Sequence, residues 1–527
     1  MTITTAKLPL KALRLTPFAL AALMLSAECR ADWKFTPTIG VSETYSDNPG
    51  LQRDQEAHGQ WIAESTPGFT LLSRSRRLRL AASGEWHFYA YDDKNLPNTH
   101  SRERRYSANA QAMLIENLLT LETRASGARQ AISAFGPRFT TPYSTFNSTD
   151  VQSWSISPIL QHRFGSVADL RAQLTRDGVK TDGRNQTSAF GNSFSTAGSF
   201  TLNSRQSTNP LGWTLQYSRQ DMETERFGAS RSTNASATLH YRLSRTWTVL
   251  GTGGYDSYEY SSSHDRNAGR SLTAGFTWTP TARTSVDARF GHSYLGKTGS
   301  LQAVQRNRHL VSRVSYTDQV TTSRSQFLLP AAIDTAALLD QLFSATITDP
   351  VLRAQAVQNY LAASGLPPTL ADSVNYLSNR FMREKRLQAG YIYTMPHSSV
   401  SLSVYKSERV GLTTQQSDSE LLGTQLGSLN DNVRQKGIQA GFDYRLSPRT
   451  SANLLVTGSR ALSLTTGIES PNHQISLGLT RQFDRKTRGS LELRHVHGPS
   501  GALINSAGAA PAGYNENALA ATLAVQL

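Results

Sequence analysis

The stretch "NALAATLAVQL", residues 517–527, decides the fold. Leu519, Ala521, Leu523, Val525 and Leu527 are apolar, and the intervening Ala520, Thr522, Ala524 and Gln526 are small or polar. This is the two-residue period of a strand with one apolar face. The alternation runs to the last residue given, where a soluble sheet would present a sticky edge. A closed barrel in an outer membrane has no edge, because its last strand pairs with its first.

The same period recurs throughout the chain. In "LRLAASGEWHFYAYDD", Leu78, Leu80, Ala82, Gly84, Trp86, Phe88 and Ala90 share one face, while Arg79, Ser83, Glu85, His87, Tyr89 and Tyr91 share the other. "ASATLHYRL" places Ala235, Ala237, Leu239, Tyr241 and Leu243 together, and "HQISLGLTRQF" does so with Ile475, Leu477, Leu479 and Phe483. Each run has about the length that a tilted membrane strand needs. Short turns ("FGSVAD", "LSRTW", "TPTART", "LSPRT", "DRKT") alternate with long polar loops ("YDDKNLPNTHSRERR", "GPRFTTPYSTFNSTD", "SSHDRNAG", "TTQQSDSELLGTQLGSLND"). Outer-membrane barrels are built this way, with the short turns in the periplasm. The expected fold is all-β: an antiparallel up-and-down barrel of about 22 strands, within a range of roughly 18–24. Two aromatic girdles are expected at the membrane interfaces. Tyr241, Trp247, Trp278, Phe164, Phe483 and Tyr444 would form the lower one, and Tyr255, Tyr258, Tyr294, Tyr89 and Tyr91 the upper.

Composition agrees with that class. Hydrophobic residues are 38% of the chain and mean hydropathy is −0.41, as expected when half of each strand faces water. Aromatic residues at 9% are too many for a disordered chain. At the start, Lys7, Lys11 and Arg14 precede the apolar core "LTPFALAALMLSA", and Cys29 and Ala31 frame a cleavage site before Asp32. Residues 1–31 therefore read as a secretory signal peptide, and cleavage there would leave residues 32–527 without cysteine. The formal charge of +15 is scattered along the chain, which argues against nucleic-acid binding. It suits a lumen or rim that tolerates acidic polymer, or attraction to the anionic head groups of outer-membrane lipid.

One region leaves the two-residue period. Over residues 328–378 the spacing turns helical: Leu338, Leu339, Leu342 and Phe343 form a stripe in "DTAALLDQLF". In "DPVLRAQAVQNYLAASGLPP", Asp349 is an N-cap, Pro350 opens the helix, and Gly365 closes it before Pro367 and Pro368. "TLADSVNYLSN" reads as a third short helix. Strand parity sends this insertion out on the long-loop side, either as a plug folded into the pore or as an extracellular cap.

No enzyme signature is present: there is no G-x-S-x-G elbow, no H-E-x-x-H and no phosphate-binding glycine loop. The expected protein is not an enzyme and holds no cofactor or metal. His495 and His497 in "RHVHG" share a strand face but have no third ligand nearby in sequence. Asp47, Asn48, Asp92 and Asp93 read as turn formers before calcium ligands. A repeated acidic-x-basic pattern is more informative. Glu122–Arg124, Asp169–Arg171, Asp287–Arg289 and Glu492–Arg494 each lie shortly after a short turn, with their side chains expected in the lumen near the periplasmic mouth. Such a belt would hydrate a passing polymer or stiffen the wall through salt bridges.

Three segments together resemble the outer-membrane barrel family associated with the PEP-CTERM/exosortase system: "GVSETYSDNPGL", "WTPTARTSVDARFGHSYLG" and "SRVSYTDQVTTSR", followed by "DPVLRAQAV" in the insertion. The terminal Leu527 departs from barrel habit, where an aromatic that the barrel assembly machinery reads is commoner. The resemblance implies a Gram-negative outer-membrane protein encoded among exopolysaccharide genes. Its work would be export or assembly of that polymer, with a periplasmic export partner. It supplies no catalytic residues. The alternatives are a general or substrate-specific porin, a barrel enzyme and a non-channel anchor.

Overall fold

The computed structural model describes residues 32–93, 99–136, 144, 147–181, 192–205, 210–225, 228–260, 266–328, 375–376, 378, 380–412, 424–499 and 513–527. These residues form twenty-two antiparallel strands, from β1 (Asp32–Ser46) to β22 (Gly513–Gln526). Each strand pairs with its neighbours in sequence, and β1 also pairs with β22, which closes the ring. Beyond a 3-10 turn at Asp54–Glu56, two short helices accompany the strands among the described residues, α1 (Ser323–Leu328) and α2 (Thr424–Leu429). α2 lies within a stretch whose polar composition reads as loop.

The seam carries side-chain bonds as well as a backbone ladder. Thr38 to Ser46 face Gln526 to Ala518 in register. Ser46 Oγ donates to Glu516 Oε1 at 2.8 Å, and Asp47 accepts from both the backbone and the side-chain nitrogen of Asn517 at 2.7 Å. Asn48 Nδ2 donates to the Asn515 carbonyl at 3.0 Å, and Asp54 accepts twice from Asn515 at 2.8 Å. Asp47 and Asn48 are thus fasteners of the closure.

The five short turns named above stand at one end, with Gly165 in the turn after β6 (Ser148–Phe164) taking φ +54°, which favours glycine. The other end carries the long loops, although not every connection there is long: β13 (Thr284–Ser293) passes to β14 (Gly296–Arg306) through Tyr294 and Leu295 alone. Proline interrupts the ladder where it sits inside a strand. The pairing of β2 (Gln60–Arg74) with β3 (Leu78–Tyr91) lapses at Thr66 and Pro67, since proline has no N–H to give.

The outer face is an apolar band. A row of leucines crosses four strands in register: Leu454 on β19 (Thr450–Ser463), Leu477 on β20 (Glu469–Gln482), Leu493 on β21 (Thr487–Pro499) and Leu519 on β22. All four are exposed, which in a closed barrel means exposed to lipid. Because the ring satisfies its backbone groups internally, the wall can cross hydrocarbon. The chain is an outer-membrane β-barrel. Replacing Leu477 by arginine is expected to cost about 2–4 kcal/mol of barrel stability in a lipid bilayer. The same change at Gln111, exposed on the inner face, should cost less than about 0.5 kcal/mol. Urea unfolding in liposomes measures both.

The lower girdle has the expected form: Tyr241, Trp247, Phe164, Phe483 and Tyr444 are exposed beside short turns, and Trp247 stacks on Trp278 at 5.6 Å. The upper girdle does not. Of its five tyrosines, Tyr255 is exposed on the lipid face, whereas Tyr89, Tyr91 and Tyr258 have the opposite strand parity and point inward. Tyr294 sits in a turn. A one-residue shift of parity inverts the face, and aromatic residues favour strands on either side. On the outer face, Tyr45 against Trp61 at 5.3 Å does what the upper girdle was expected to do.

Residues 329–374, 377 and 379 lie outside the described residues, and with them nearly all of the helical insertion expected over 328–378. Its two approaches are described. The chain turns helical earlier than expected, at Ser323, and Asn375, Tyr376 and Ser378 on the return are not helical.

Candidate functional site in the barrel lumen

Strand parity that puts leucine outside puts hydroxyl and amide groups inside. Neighbouring strands join these groups across the inner wall: Ser83 with Ser107 at 3.0 Å, Ser126 with Ser153 at 2.8 Å, Ser157 with Thr175 at 2.9 Å, and Thr238 with Thr252 at 2.9 Å. The wall differs around its circumference. On β4 (Arg102–Ile115), inward Ser107, Asn109 and Gln111 are exposed to an open lumen. On β17 (Ser398–Gly411), inward Ser399, Ser401, Ser403, Tyr405, Ser407 and Arg409 are all buried. Alternating serines leave room on that side for material packed close to the wall.

The eight expected lumen residues lie on the inner face but do not form a continuous belt. Glu122 and Arg124 are on β5 (Leu119–Ala131), Asp169 and Arg171 on β7 (Ala168–Thr181), Asp287 and Arg289 on β13, and Glu492 and Arg494 on β21. Two pairs close on themselves, Arg289–Asp287 at 3.3 Å and Arg124–Glu122 at 3.8 Å. The other two are drawn across strands: Asp169 meets Arg163 at 3.4 Å and Arg205 at 3.5 Å, and Arg494 meets Glu516 at 3.3 Å. Residues two apart on a strand are about 6.6 Å apart along it, while cross-strand partners approach to about 5 Å, so the neighbouring strand competes well. A double-mutant cycle on Asp287 and Arg289 is expected to give a coupling below about 1 kcal/mol, since both groups are water-accessible. Equilibrium unfolding of the two single variants and the double variant measures it.

A buried polar cluster lies at the long-loop end. Glu384 on β16 (Met382–Thr394) and Arg409 on β17 project inward and pair at 2.8 Å, each about 1% exposed. Glu384 also accepts from Ser407 Oγ at 3.2 Å and from Gln326 Nε2 at 2.8 Å. Arg409 donates to Asn375 Oδ1 at 3.1 Å and to Gln326, and lies over the Tyr376 ring at 5.3 Å. Gln326 belongs to α1, and Asn375 and Tyr376 to the returning chain. Both roots of the insertion are therefore fixed to the inside of the wall.

Other contacts cross the mouth. From α1, which follows β15 (Leu310–Thr321), Arg324 reaches over the ring to Asp177 on β7 and donates to Ser193 Oγ at 2.6 Å on β8 (Ser193–Ser204). Burial draws its guanidinium below the ordinary value, against the pull of Asp177. From the loop after β5, Ser133 donates to Asn430 at 2.8 Å beside α2, and the Phe135 carbonyl accepts from Ser470 at 3.0 Å. Phe135, Tyr376, Met382, Leu429 and Val433 pack into one buried apolar cluster over this end. Arg380 is paired with Asp431 beneath it. Sequence reading missed these groups. The serine alternation leading to Arg409 was the available signal, but its partners lie far away along the chain.

The two histidines of "RHVHG" are on the outside. His473, His495 and His497 share the lipid-face parity, and His473 stacks on His497 at 6.4 Å, a neighbour that sequence spacing hides. His495 and His497 bond to Asn517 and Asn515 at 2.8 and 2.9 Å. Among the described residues no group of three or more His, Cys, Asp or Glu side chains is arranged to hold a metal. Asp93 uses its backbone N–H to bond Gln60 at 3.3 Å.

No family model and no curated protein matches the chain. Among solved structures it is similar to the ferric enterobactin receptor of Pseudomonas aeruginosa at 13% identity and TM-score 0.42, covering 94% of this chain and 80% of that one. It is also similar to a siderophore receptor of Acinetobacter baumannii (8%, TM-score 0.47, covering 94% and 80%). A third is a copper transporter (10%, TM-score 0.47, covering 94% and 81%). None of these likenesses bears on what this chain carries.

Proposed function

We propose that this barrel is a conduit or assembly component for exopolysaccharide export, closed at its outer mouth until a partner opens it. The observation that carries the reading is a hydroxyl-lined inner wall beneath a mouth tied across by Arg324–Asp177, Ser133–Asn430 and the Glu384–Arg409 cluster. Serine and threonine hydroxyls exchange hydrogen bonds with sugar hydroxyls at little cost, and scattered charges keep the path hydrated. The insertion, rooted inside the wall, is the candidate plug. Opening it would fall to the polymer and to a periplasmic partner, and insertion of the barrel itself to the assembly machinery. The role is passage, not catalysis. It accords with the resemblance to exosortase-associated barrels carried by "GVSETYSDNPGL" and the segments that follow it.

The test is a clean gene deletion. Exopolysaccharide should fall in the medium and accumulate in the periplasm. The open side of the lumen along Ser107, Asn109 and Gln111 favours a second reading, a porin for small solutes. That reading requires unchanged polymer secretion and steady small-ion conductance of the intact protein in a planar bilayer.

A further inference from the structure

On the outer face, three cations stand side by side with no residue between them. Lys406 on β17 faces Lys436 on β18 (Val433–Ser447) directly in register, and Lys436 faces Arg460 on β19. All three are exposed and share the parity of Leu402, Val404, Ile438 and Val456, so they point to the lipid side. Immediately below them lie Val404 and Ile438, then Leu402 and Val456. Toward the long-loop end lie Glu408 and Arg434. The row thus sits where the apolar band ends and the outer head-group region begins.

Like charges directly opposite each other on a sheet destabilise it unless a counter-charge is supplied. The nearby carboxylates are already engaged. Glu408 pairs with Arg434 at 2.9 Å and stands opposite Lys385, Glu469 pairs with Arg460 at 3.0 Å, and Asp318 pairs with Arg383 at 2.7 Å. Among the described residues neither Lys406 nor Lys436 has an ion-pair partner. Farther round on the same face one group of cations is matched: Asp221 takes Arg219 at 3.0 Å and Arg231 at 2.5 Å, and Arg231 also reaches Glu259 at 3.8 Å. On β17–β19 the charge stays positive, because two of the three adjacent cations have no ion-pair partner among the described residues.

We propose that Lys406, Lys436 and Arg460 form a binding site for the phosphate groups of the acylated glycolipid of the outer leaflet. Two inter-strand spacings give a row about 10 Å long, a span over which two ammonium groups and a guanidinium can close on a phosphate. A phosphate monoester brings close to two negative charges and three acceptor oxygens. Acyl chains attached to it would lie down the apolar rows beneath. A free phosphate shares the head-group chemistry but has no use for those rows.

The test is native mass spectrometry of the purified full-length barrel in detergent, with bisphosphorylated lipid A as the probe. Wild type should retain the lipid. Lipid A stripped of its phosphates should not be retained, and inorganic phosphate at millimolar concentration should not displace the intact lipid. The triple variant K406Q/K436Q/R460Q should lose retention at least tenfold, and K436Q alone should give an intermediate loss. A charge-matched control at the opposite end, R306Q/R308Q/R485Q, should retain lipid as wild type does. Heat-shifted gel mobility should show every variant folded, since the triple change relieves repulsion. Equal retention by the triple variant, or equal retention of the dephosphorylated lipid, overturns the site. Displacement by inorganic phosphate alone makes it a free-anion site and overturns the lipid assignment.

Discussion

Replacing Arg409 by alanine is expected to weaken the closed mouth by about 3–5 kcal/mol, the usual cost of stranding one partner of a buried ion pair. Of its hydrogen bonds Glu384 would keep those from Ser407 and Gln326, while Asn375 and Gln326 would lose a donor and the Tyr376 ring its cation. The effect should appear as leakage before unfolding, because the cluster joins both roots of the insertion to the wall while the ring of strands is untouched. Planar-bilayer conductance measures the leak, and heat-shifted gel mobility reports the ring. The double variant E384Q/R409M should be milder than R409A, since it leaves no unpaired charge. If R409A neither leaks nor loses stability, the pair does not hold the mouth.

Excision of residues 329–374, with a short glycine-serine linker joining Leu328 to Asn375, is expected to have the larger effect on permeability. A barrel of twenty-two strands encloses a lumen wide enough to pass hydrated solutes unless something occupies it. If the insertion fills that space, conductance and sensitivity to large hydrophilic antibiotics should rise at least about tenfold. The barrel should still close, because the bonds at the seam between β1 and β22 involve none of the removed residues. Unchanged leakage in a folded variant would remove the insertion as plug and leave the cross-mouth contacts as the whole seal. R409A and the excision together therefore separate a fault in the roots from loss of the stopper.

Much of the wall was legible because a strand's face is a local property. Leu477 lies outside because it alternates with Ser476 and Gly478, and no distant information is needed. The number of strands followed from turn chemistry, and the inner placement of Glu122, Asp169, Asp287 and Glu492 followed from parity. What those carboxylates bind did not. Asp169 chooses Arg163 and Arg205 over Arg171 because register decides which strand brings a cation closest, and register depends on each turn. The upper girdle failed for a local reason: Tyr258 has the opposite parity from Tyr255 on one strand, and Tyr89 and Tyr91 stand on the polar face of theirs. The mouth was illegible for a stronger reason. Arg324 and Asp177 are 147 residues apart, and no periodicity encodes a contact across the mouth of a barrel. The cation row appeared in sequence only as a scattered charge of +15, because Lys406, Lys436 and Arg460 meet through register.

The seam has a consequence for how the chain acquires its shape. Every other pairing joins strands adjacent in sequence, so the sheet can grow hairpin by hairpin, each step closing a single connection. The pairing of β1 with β22 joins groups 470 residues apart, as in the bond from Ser46 to Glu516. Until it forms, the molecule is a curled ribbon with two open margins, each offering unpaired backbone groups to any passing strand. Kinetic risk is therefore concentrated in one late event. The polar fasteners at Asp47, Asn48 and Asp54 form only when the correct margins meet, and they set the register against a slipped closure.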